Sequence, residues 1–334
     1  MTNSRTIRIA AAIAVTALLA GCSASAATPP PTTKTYTYKD MTVGFIQTGS
    51  ESGWRAANTS SFNEDAKSKG ITLKFYDSQN KIENQITAFN QFIQDPQVNV
   101  IVLAAVGTTG YDDVLKQAKA AGKVVVLEDR RIEADSSLYY TYIGSDFNAE
   151  GQKGAKAMCD LLKDSTGKKV VEIGGDQAAS AAIDRAKGFR EKMGDCGITV
   201  TATQSAPGWD PVQGKAIMEA YLKNSKDIQG VYAHNDELAI AAIQAIEAAG
   251  LTPGKDIQVV GFDATANGFK YLISGKLGAD IECNPLLAPQ VYEAALKALN
   301  GDNSVPKWVP SQEGEFFAAQ GASTLQSILD TRKY

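Results

Sequence analysis

The sequence predicts an α/β protein whose parallel sheets are covered by helices on both faces. From residue 41 onwards, short apolar runs alternate with stretches of helical length, an order that favours doubly wound sheets with right-handed crossovers. Residues 124–127 are all apolar, as expected of a strand that is buried on both faces. Gly70, Pro96 and Gly122 follow the helical stretches of the first half, and such residues commonly end helices.

The first half of the chain is predicted to hold five strands and three helices. In chain order these are strand 41–47, helix 54–69, strand 71–76, helix 83–94, strand 98–105, helix 111–121, strand 124–127 and strand 140–143. The strands are rich in Val, Ile, Leu and aromatic residues, whereas the helices carry polar residues with an apolar stripe.

A second set of alternating elements follows from residue 148. It comprises helix 149–163, strand 169–173, helix 180–193, strand 199–205, helix 212–224, strand 230–233, helix 238–249, strand 257–262, helix 267–274 and strand 279–281. The remaining helix 287–299 and extended segment 312–319 are too short for a third domain. We expect them to return and complete the first two.

The N-terminus has the features of an export signal. Arg5 and Arg8 precede an apolar stretch at 9–19 that is too short to span a bilayer. The string Leu19-Ala20-Gly21-Cys22 resembles a bacterial lipobox, which implies a lipoprotein signal peptide at 1–21, lipid on Cys22 and a protein anchored to the cell membrane at the cell surface or in the periplasm. Residues 22–39, rich in Pro, Ser, Ala and Thr, are predicted to form a tether. An ordinary secretory signal is the alternative.

Composition argues against several function classes. The 334-residue chain has a net charge of −4 and a pI of about 5.3, so it offers no broad basic surface for nucleic acid. His234 is the sole histidine, which argues mildly against metal sites and acid–base catalysis. Cys159, Cys196 and Cys283 show no Cys-x-x-Cys spacing. Cys159 and Cys196 either form a disulfide or stay free, and Cys283 is expected to be unpaired.

Polar residues recur directly after the predicted strands, where open α/β sheets bind ligands. These residues are Gln47–Arg55 after the first strand, Asp129 and Arg130 after strand 124–127, Ala182–Arg185 at the start of the helix after strand 169–173, Trp209, His234–Asp236, Asp263, and Glu282–Asn284. A surface ion pair is the alternative for Asp129 and Arg130 taken alone. The recurrence instead predicts one shared cleft.

The residue types in this set suit a neutral, hydroxylated ring. Carboxylate and amide oxygens accept from sugar hydroxyls, and guanidinium groups donate to sugar oxygens. Trp54 and Trp209 are candidates for the flat contact with the ring, with core packing as the alternative. His234 is expected to play a structural role, and Asn235 is also a candidate helix cap.

Several strings carry a family resemblance that covers nearly everything from residue 41. They are Val43-Gly44-Phe45, Gly53-Trp54-Arg55, Leu127-Glu128-Asp129-Arg130, Ala182-Ile183-Asp184-Arg185-Ala186-Lys187-Gly188-Phe189, Tyr232-Ala233-His234-Asn235-Asp236 and Gly261-Phe262-Asp263. The chain is thereby similar to periplasmic sugar-binding proteins of type I (the ribose/galactose type), and most similar to their galactofuranose-binding branch. Trp209 stands where ribose binders carry Phe, Ala104-Ala105-Val106 replaces their Asn-Pro, and Glu282-Cys283-Asn284 replaces their Gln-containing hinge segment.

The resemblance implies two Rossmann-like lobes joined by three hinge strands. The N-terminal lobe would hold 40–144 plus 284–311, and the C-terminal lobe 145–283 plus 312–334. The implied sugar contacts are Trp54, Arg55, Asp129, Arg130, Arg185, Trp209, Asn235 and Asp263, with Glu51, Asp184, Glu282 and Asn284 as additional candidates.

We therefore expect a lipid-anchored, monomeric solute-binding protein that delivers a monosaccharide to the permease of an ABC importer. The resemblance favours a furanose or a ketose such as fructose or galactofuranose, with pentoses as further candidates. No catalytic residue, metal, cofactor or nucleic acid is expected. A sugar sensor for a membrane receptor uses the same site. A regulator of the lactose-repressor type needs a helix-turn-helix where this chain has its signal. A dehydrogenase needs Gly-x-Gly-x-x-Gly, which is absent; a glycosidase built on Asp129 and Asp263 stays an alternative.

Overall fold

The structure, a computed structural model, describes residues 34–50 and 52–334. The predicted signal peptide, Cys22, most of the tether and Glu51 lie outside the described residues. Within the described part, no helix combines the length and the apolar character needed to cross a membrane.

Twelve strands and ten helices alternate along the described chain. The strands are β1 (Thr42–Gln47), β2 (Thr72–Asp77), β3 (Val100–Leu103), β4 (Val124–Glu128), β5 (Thr141–Gly144), β6 (Lys169–Gly174), β7 (Thr199–Ser205), β8 (Gly230–Ala233), β9 (Gln258–Asp263), β10 (Ala279–Glu282), β11 (Trp308–Pro310) and β12 (Glu315–Phe317). The helices are α1 (Gly53–Lys69), α2 (Ile82–Gln94), α3 (Asp112–Ala120), α4 (Phe147–Leu161), α5 (Ser180–Lys192), α6 (Pro211–Asn224), α7 (Asp236–Ala248), α8 (Ala266–Ile273), α9 (Ala288–Leu299) and α10 (Ala322–Leu329).

The strands form two six-stranded sheets, one in each lobe. The first sheet has the order β2-β1-β3-β4-β5-β11, and all of its pairs are parallel. The second has the order β7-β6-β8-β9-β10-β12, with β12 antiparallel at the edge. The prediction of two α/β lobes with parallel sheets is confirmed. The chain passes between the sheets at three places: after β5, after β10 and between β11 and β12.

Each sheet is buried on both faces, which explains the uninterrupted apolar strands. In β4, Val126 packs in the core beneath α1 and α9, whereas Val125 and Leu127 pack in the core beneath α2 and α3. The second sheet is likewise covered by two separate apolar clusters. This burial fixes the register of the central strands, because a shift by one residue would exchange the two faces.

Three features differ from the sequence-based expectations or settle an open alternative. The predicted tether reaches residue 39, yet the Tyr36 N–H donates to Asn300 over 2.8 Å and Tyr38 packs against the first-lobe core, so these residues belong to the fold. The structure adds β11 and α10, which the sequence patterns missed. Cys159 and Cys196 form a disulfide with Cα atoms 5.8 Å apart, and Cys283 has a buried free thiol.

Candidate functional site

A cavity lies where the carboxyl ends of strands from both lobes face each other. Its empty volume is about 330 Å³, part of it open to solvent. The structure brings all eight predicted contact residues into its wall: Trp54, Arg55, Asp129, Arg130, Arg185, Trp209, Asn235 and Asp263. Because parallel strands end at one edge of each sheet, residues distant in sequence converge here.

The first lobe contributes a buried acid between two guanidinium groups. Arg55 Nη2 donates to Asp129 Oδ2 over 2.6 Å, and Arg130 Nε lies 3.6 Å from the same oxygen. Ser52 caps α1 by accepting from the Arg55 N–H over 3.0 Å, which fixes the first turn of the helix. Asp129 has a left-handed backbone with φ 58°. This wall therefore presents fixed acceptors beside fixed donors.

The second lobe contributes a guanidinium that links two segments. Arg185 Nε donates to Glu150 Oε2 over 2.7 Å, and its Nη1 donates to the His234 carbonyl over 2.5 Å. Its Nη2 reaches Asp263 Oδ1 over a longer 3.3 Å. Burial raises the pKa of Glu150 and of Asp263, while the Arg185 charge opposes that rise. Arg185 is thus oriented mainly by Glu150, and Asp263 retains capacity for further hydrogen bonds.

The two tryptophans form opposite parts of the wall. Trp54 Nε1 donates to the Cys283 carbonyl over 2.6 Å, which ties α1 to the segment after β10. The guanidinium of Arg130 lies 5.6 Å from the Trp209 ring. The buried Trp209 Nε1 has no hydrogen-bond partner among the described residues. Both rings also belong to the second-lobe core cluster, so packing and cavity lining occur together.

Asn235 and His234 have separate roles. Asn235 Oδ1 accepts from the Leu238 N–H over 2.9 Å and so caps α7, while the residue also lines the cavity. His234 Nε2 lies 2.8 Å from Glu172 Oε1, and burial lowers the pKa of His234 despite that neighbour. The expected structural role of His234 agrees with this position outside the cavity wall.

The additional candidates lie elsewhere in the structure. Asp184 accepts two hydrogen bonds from Arg131, both over 2.8 Å, and is not part of the cavity wall. Glu282 accepts from Arg332 over 2.6 Å, and Asn284 Oδ1 accepts from the Leu286 N–H over 2.9 Å. These side chains are hydrogen-bonded to partners outside the cavity wall, which a single sequence does not reveal; Glu51 lies outside the described residues.

Two lining residues, Phe147 and Ala181, lie outside every segment that the sequence analysis singled out, while Ser52 and Cys283 lie inside such segments but were not named as sugar contacts. Phe147 begins α4 just after β5, so the rule about strand ends could have found it. Its ring lies 5.2 Å from the Arg185 guanidinium. Ala181 and Cys283 carry no polar signal of a binding role and enter the wall only through the packing of the fold.

One group of side chains has the composition of a metal site. The ligand atoms of Glu150, Cys283 and Glu313 lie within 4.8 Å of one another. However, Glu150 is bonded to Arg185, and Glu313 accepts from Ser311 over 2.6 Å and also from Ser145. Each carboxylate therefore has a hydrogen-bond donor other than a metal ion, although Glu150 Oε1 is buried without a partner among the described residues.

Glu128 leads to a prediction about pH. It is fully buried next to Asp129 and accepts from Asn58 Nδ2 over 3.0 Å. Burial and the Asp129 charge raise its pKa to about 8 from 4.5. The folded state therefore holds a proton that the unfolded state releases, and this contribution to stability is complete below pH 4.5 and lost as the pH rises through 8.

We expect Glu128→Gln to remove that contribution while keeping the acceptor for Asn58. Between pH 6 and pH 9 the free energy of unfolding of the unmodified chain should fall by about 2 kcal/mol more than that of the variant. Urea unfolding at both pH values measures the difference. Parallel pH curves for the two proteins would show that Glu128 is ionised throughout.

Comparisons with known proteins agree with the fold. Residues 43–303 match the family described as periplasmic binding protein domain. The chain is 42% identical over 275 residues to the galactofuranose-binding protein YtfQ of Escherichia coli (strain K12), covering 80% of this chain and 84% of that protein.

Two solved structures show the same architecture. One, from Mycobacterium smegmatis in complex with β-D-fucofuranose, is 38% identical with a TM-score of 0.81 and covers 87% of this chain and 98% of its own. The other is the periplasmic component of the arabinose ABC transporter of Shewanella sp. ANA-3, bound to α- and β-L-arabinofuranose. It is 37% identical with a TM-score of 0.81, and the match covers 88% of this chain and 99% of that chain. These relatives are binding proteins rather than enzymes.

Proposed function

The chain belongs to the periplasmic binding protein domain family, and on that premise we propose that it captures a monosaccharide between its lobes as the sugar-binding component of an ABC importer. The observation that carries the proposal is the convergence of eight predicted contact residues in one cavity wall. Carboxylates from both lobes stand beside guanidinium groups there, as a neutral polyol requires.

The chemistry of the wall suits binding without bond cleavage. Asp129 and Asp263 each stand beside an arginine, at 2.6 Å from Arg55 and 3.3 Å from Arg185. The arginines orient both carboxyl groups, whose oxygens can accept from sugar hydroxyls, and guanidinium groups donate to sugar oxygens. Trp54 and Trp209 supply flat apolar surfaces for the C–H faces of the ring.

A furanose is the preferred ligand. The similar proteins are named for galactofuranose, fucofuranose and arabinofuranose. On this basis galactofuranose, arabinofuranose and the furanose ring of fructose are the first candidates, and other pentoses follow. Of the departures from the ribose binders, the segment 282–284 includes the cavity-lining Cys283, which fits a ligand other than ribopyranose.

Contacts across the cleft support closure of the two lobes on the sugar. Arg131, after β4, forms a two-bond pair with Asp184 of α5. The Gly53 N–H at the start of α1 donates to Glu237 Oε1 of α7 over 2.9 Å. We propose that these contacts form when the lobes close by bending at the three crossings, and that the closed form docks on the permease.

Lipid anchoring completes the proposal. Cleavage before Cys22 and acylation of its thiol would hold the protein on the outer surface of the cell membrane, near the permease. In cell fractions, Cys22→Ala should move the protein from the membrane to the soluble exported fraction. A protein that stays in the membrane fraction after this change would argue for another anchor.

Calorimetry tests the ligand directly. The full chain carrying Cys22→Ser is titrated with D-galactose, L-arabinose, D-fucose, D-fructose and D-ribose, and the anomeric carbon of bound D-[1-¹³C]galactose reports the ring form. We expect saturable heat with at least one sugar and a furanose signal. Absence of heat with all five sugars would contradict sugar capture, whereas a bound pyranose would contradict only the furanose preference.

The Arg131–Asp184 pair yields a further prediction. Its side chains are 38% and 15% exposed, so we expect Asp184→Ala to cost about 1 kcal/mol in the closed form, or roughly a fivefold weaker sugar Kd. The loss should appear as faster dissociation in stopped-flow fluorescence. Asp160→Ala is the matched control, because Asp160 pairs with Lys156 over 2.7 Å within its own helix. Equal effects of both changes would refute a role of the pair in closure.

A further inference from the structure

Two buried aspartates lie side by side behind the cavity wall. Asp236 is the first residue of α7 and Asp280 lies on β10; they are 1% and 0% exposed. Both face Gly268, because a Cβ atom added there would lie 2.3 Å from Asp236 Oδ2 and 2.5 Å from Asp280 Oδ2. Neither residue lines the sugar cavity.

Their hydrogen bonds converge on one turn. Asp236 Oδ2 accepts from the Thr265 N–H over 2.7 Å and from its hydroxyl over 2.6 Å. Asp280 Oδ1 accepts from the Ala264 N–H over 3.1 Å. The backbone just before these donors is strained, with φ of 102° at Asp263 and 53° at Ala264, and such conformations persist only where surrounding contacts hold them.

The remaining oxygen of each aspartate lacks a donor. Asp236 Oδ1 and Asp280 Oδ2 are buried without a hydrogen-bond partner among the described residues. No cation is bonded to either aspartate within the described chain, because Arg332 pairs with Glu282 over 2.6 Å and Arg185 pairs with Glu150 over 2.7 Å. Two ionised carboxylates this close in a buried site would repel strongly.

The charged groups around the pair increase that repulsion. Glu237 on α7 and Asp263 on β9 add negative charge near the pair. Two cations oppose this charge: Arg332 of the C-terminal segment attracts Asp280, and Arg185 of α5 attracts Asp263. If one of the two aspartates is protonated, the charge repulsion between them is removed, and its O–H group becomes a hydrogen-bond donor for the other carboxylate.

We propose that Asp236 and Asp280 share one proton and that this acid pair positions Asp263 for the sugar. The pair acts through the 263–265 turn and touches no ligand, so both are positioning residues. This inference rests on the proposed function for its sugar readout. Burial raises the pKa of Asp280 to about 7, and burial together with the Asp280 charge raises the pKa of Asp236 well above its ordinary value.

The consequence is a loss of sugar affinity at alkaline pH. When the shared proton leaves, the two carboxylates separate and release the Ala264 and Thr265 N–H groups. The strained turn then relaxes and Asp263 moves away from its place beside Arg185. We expect the Kd for D-galactose to weaken at least tenfold between pH 6 and pH 9.5.

Conservative and truncating variants separate this role from ordinary packing. Asp280→Asn replaces the shared proton with an amide donor at the Oδ2 position and keeps Oδ1 as the acceptor for the Ala264 N–H, so its Kd should change less than threefold over the same pH range. Asp280→Ala removes both functions and should weaken binding at every pH. Asp236→Asn is the second conservative variant should Asp280→Asn fail to fold. Asp227→Asn, whose side chain is 61% exposed, should follow the pH profile of the unmodified chain.

Carboxyl ¹³C NMR of the aspartate-labelled full chain tests the proton without any sugar. We expect two carboxyl signals that titrate together near or above pH 7 and that change in both conservative variants. Normal titration of both near pH 4 would overturn the inference. A shared proton combined with a pH-independent Kd would overturn the positioning role. A shared proton in a chain that binds no sugar would refute the proposed function and leave the acid pair standing.

Discussion

Replacing Arg185 by alanine should abolish measurable sugar binding and lower the free energy of unfolding by about 3–5 kcal/mol. The side chain is 2% exposed, and it bonds Glu150, the His234 carbonyl and Asp263. Without it, two buried carboxyl groups lose their cation, and a ligand donor is missing from the cavity. Burial alone would lower the pKa of Arg185, but Glu150 and Asp263 outweigh it and raise that pKa well above its ordinary value.

Two comparisons sharpen the Arg185 experiment. Lys187→Ala on the same helix removes an exposed charge, with 66% of its side chain accessible, and should change stability by less than about 0.5 kcal/mol. Arg185→Lys keeps the positive charge but loses the fork of donors, so it should recover part of the stability and little of the binding. Urea unfolding and calorimetry measure both quantities. Wild-type affinity in Arg185→Ala would remove Arg185 from the binding site.

Gly188→Ala should destabilise the second lobe by about 3 kcal/mol and weaken sugar binding at the same time. A Cβ atom at Gly188 would lie 2.0 Å from the Asn148 carbonyl oxygen, and one at Gly151 would lie 2.3 Å from the Arg185 carbonyl oxygen. Helices α4 and α5 therefore pack backbone against backbone. A methyl group must push α5 outward, and α5 carries Arg185 into the cavity.

Gly194→Ala is the matched control for the helix contact. Gly194 lies just beyond α5, and a Cβ atom there would have nothing within 4 Å. Its stability should stay within about 0.5 kcal/mol of the unmodified chain. Thermal unfolding and sugar titration of both variants distinguish a contact effect from a general intolerance of glycine replacement. Equal stability of Gly188→Ala and the unmodified chain would contradict the close approach of the helices.

Much of the fold followed from local sequence patterns. The all-apolar run 124–127 predicted a buried strand because a parallel strand packs on both faces, and β4 occupies Val124–Glu128. The family resemblance, taken from strings such as Gly53-Trp54-Arg55, is confirmed by the family match over residues 43–303. The expectation of a binding protein rather than an enzyme agrees with the relatives.

Short and edge elements were harder to predict. Strand β11 spans only Trp308–Pro310, and β12 only Glu315–Phe317. Three residues are too few to show alternation, and both strands exist because they pair with β5 and β10. Asp184 resembled a cavity residue by its place in the family string, yet its partner Arg131 lies 53 positions away.

The sequence by itself determined the two α/β lobes and the placement of polar residues at strand ends, because these depend on the hydrophobic pattern and on neighbours along the chain. Tertiary structure alone decided which of those polar residues face the cavity and which carboxyl groups are buried together. Asp236 and Asp280 stand 44 positions apart, and both are more than 98% buried. The two aspartates share one buried environment because the fold brings them close together and excludes water. The same holds for Glu150 and Asp263, which both contact Arg185, and no single stretch of sequence encodes such contacts.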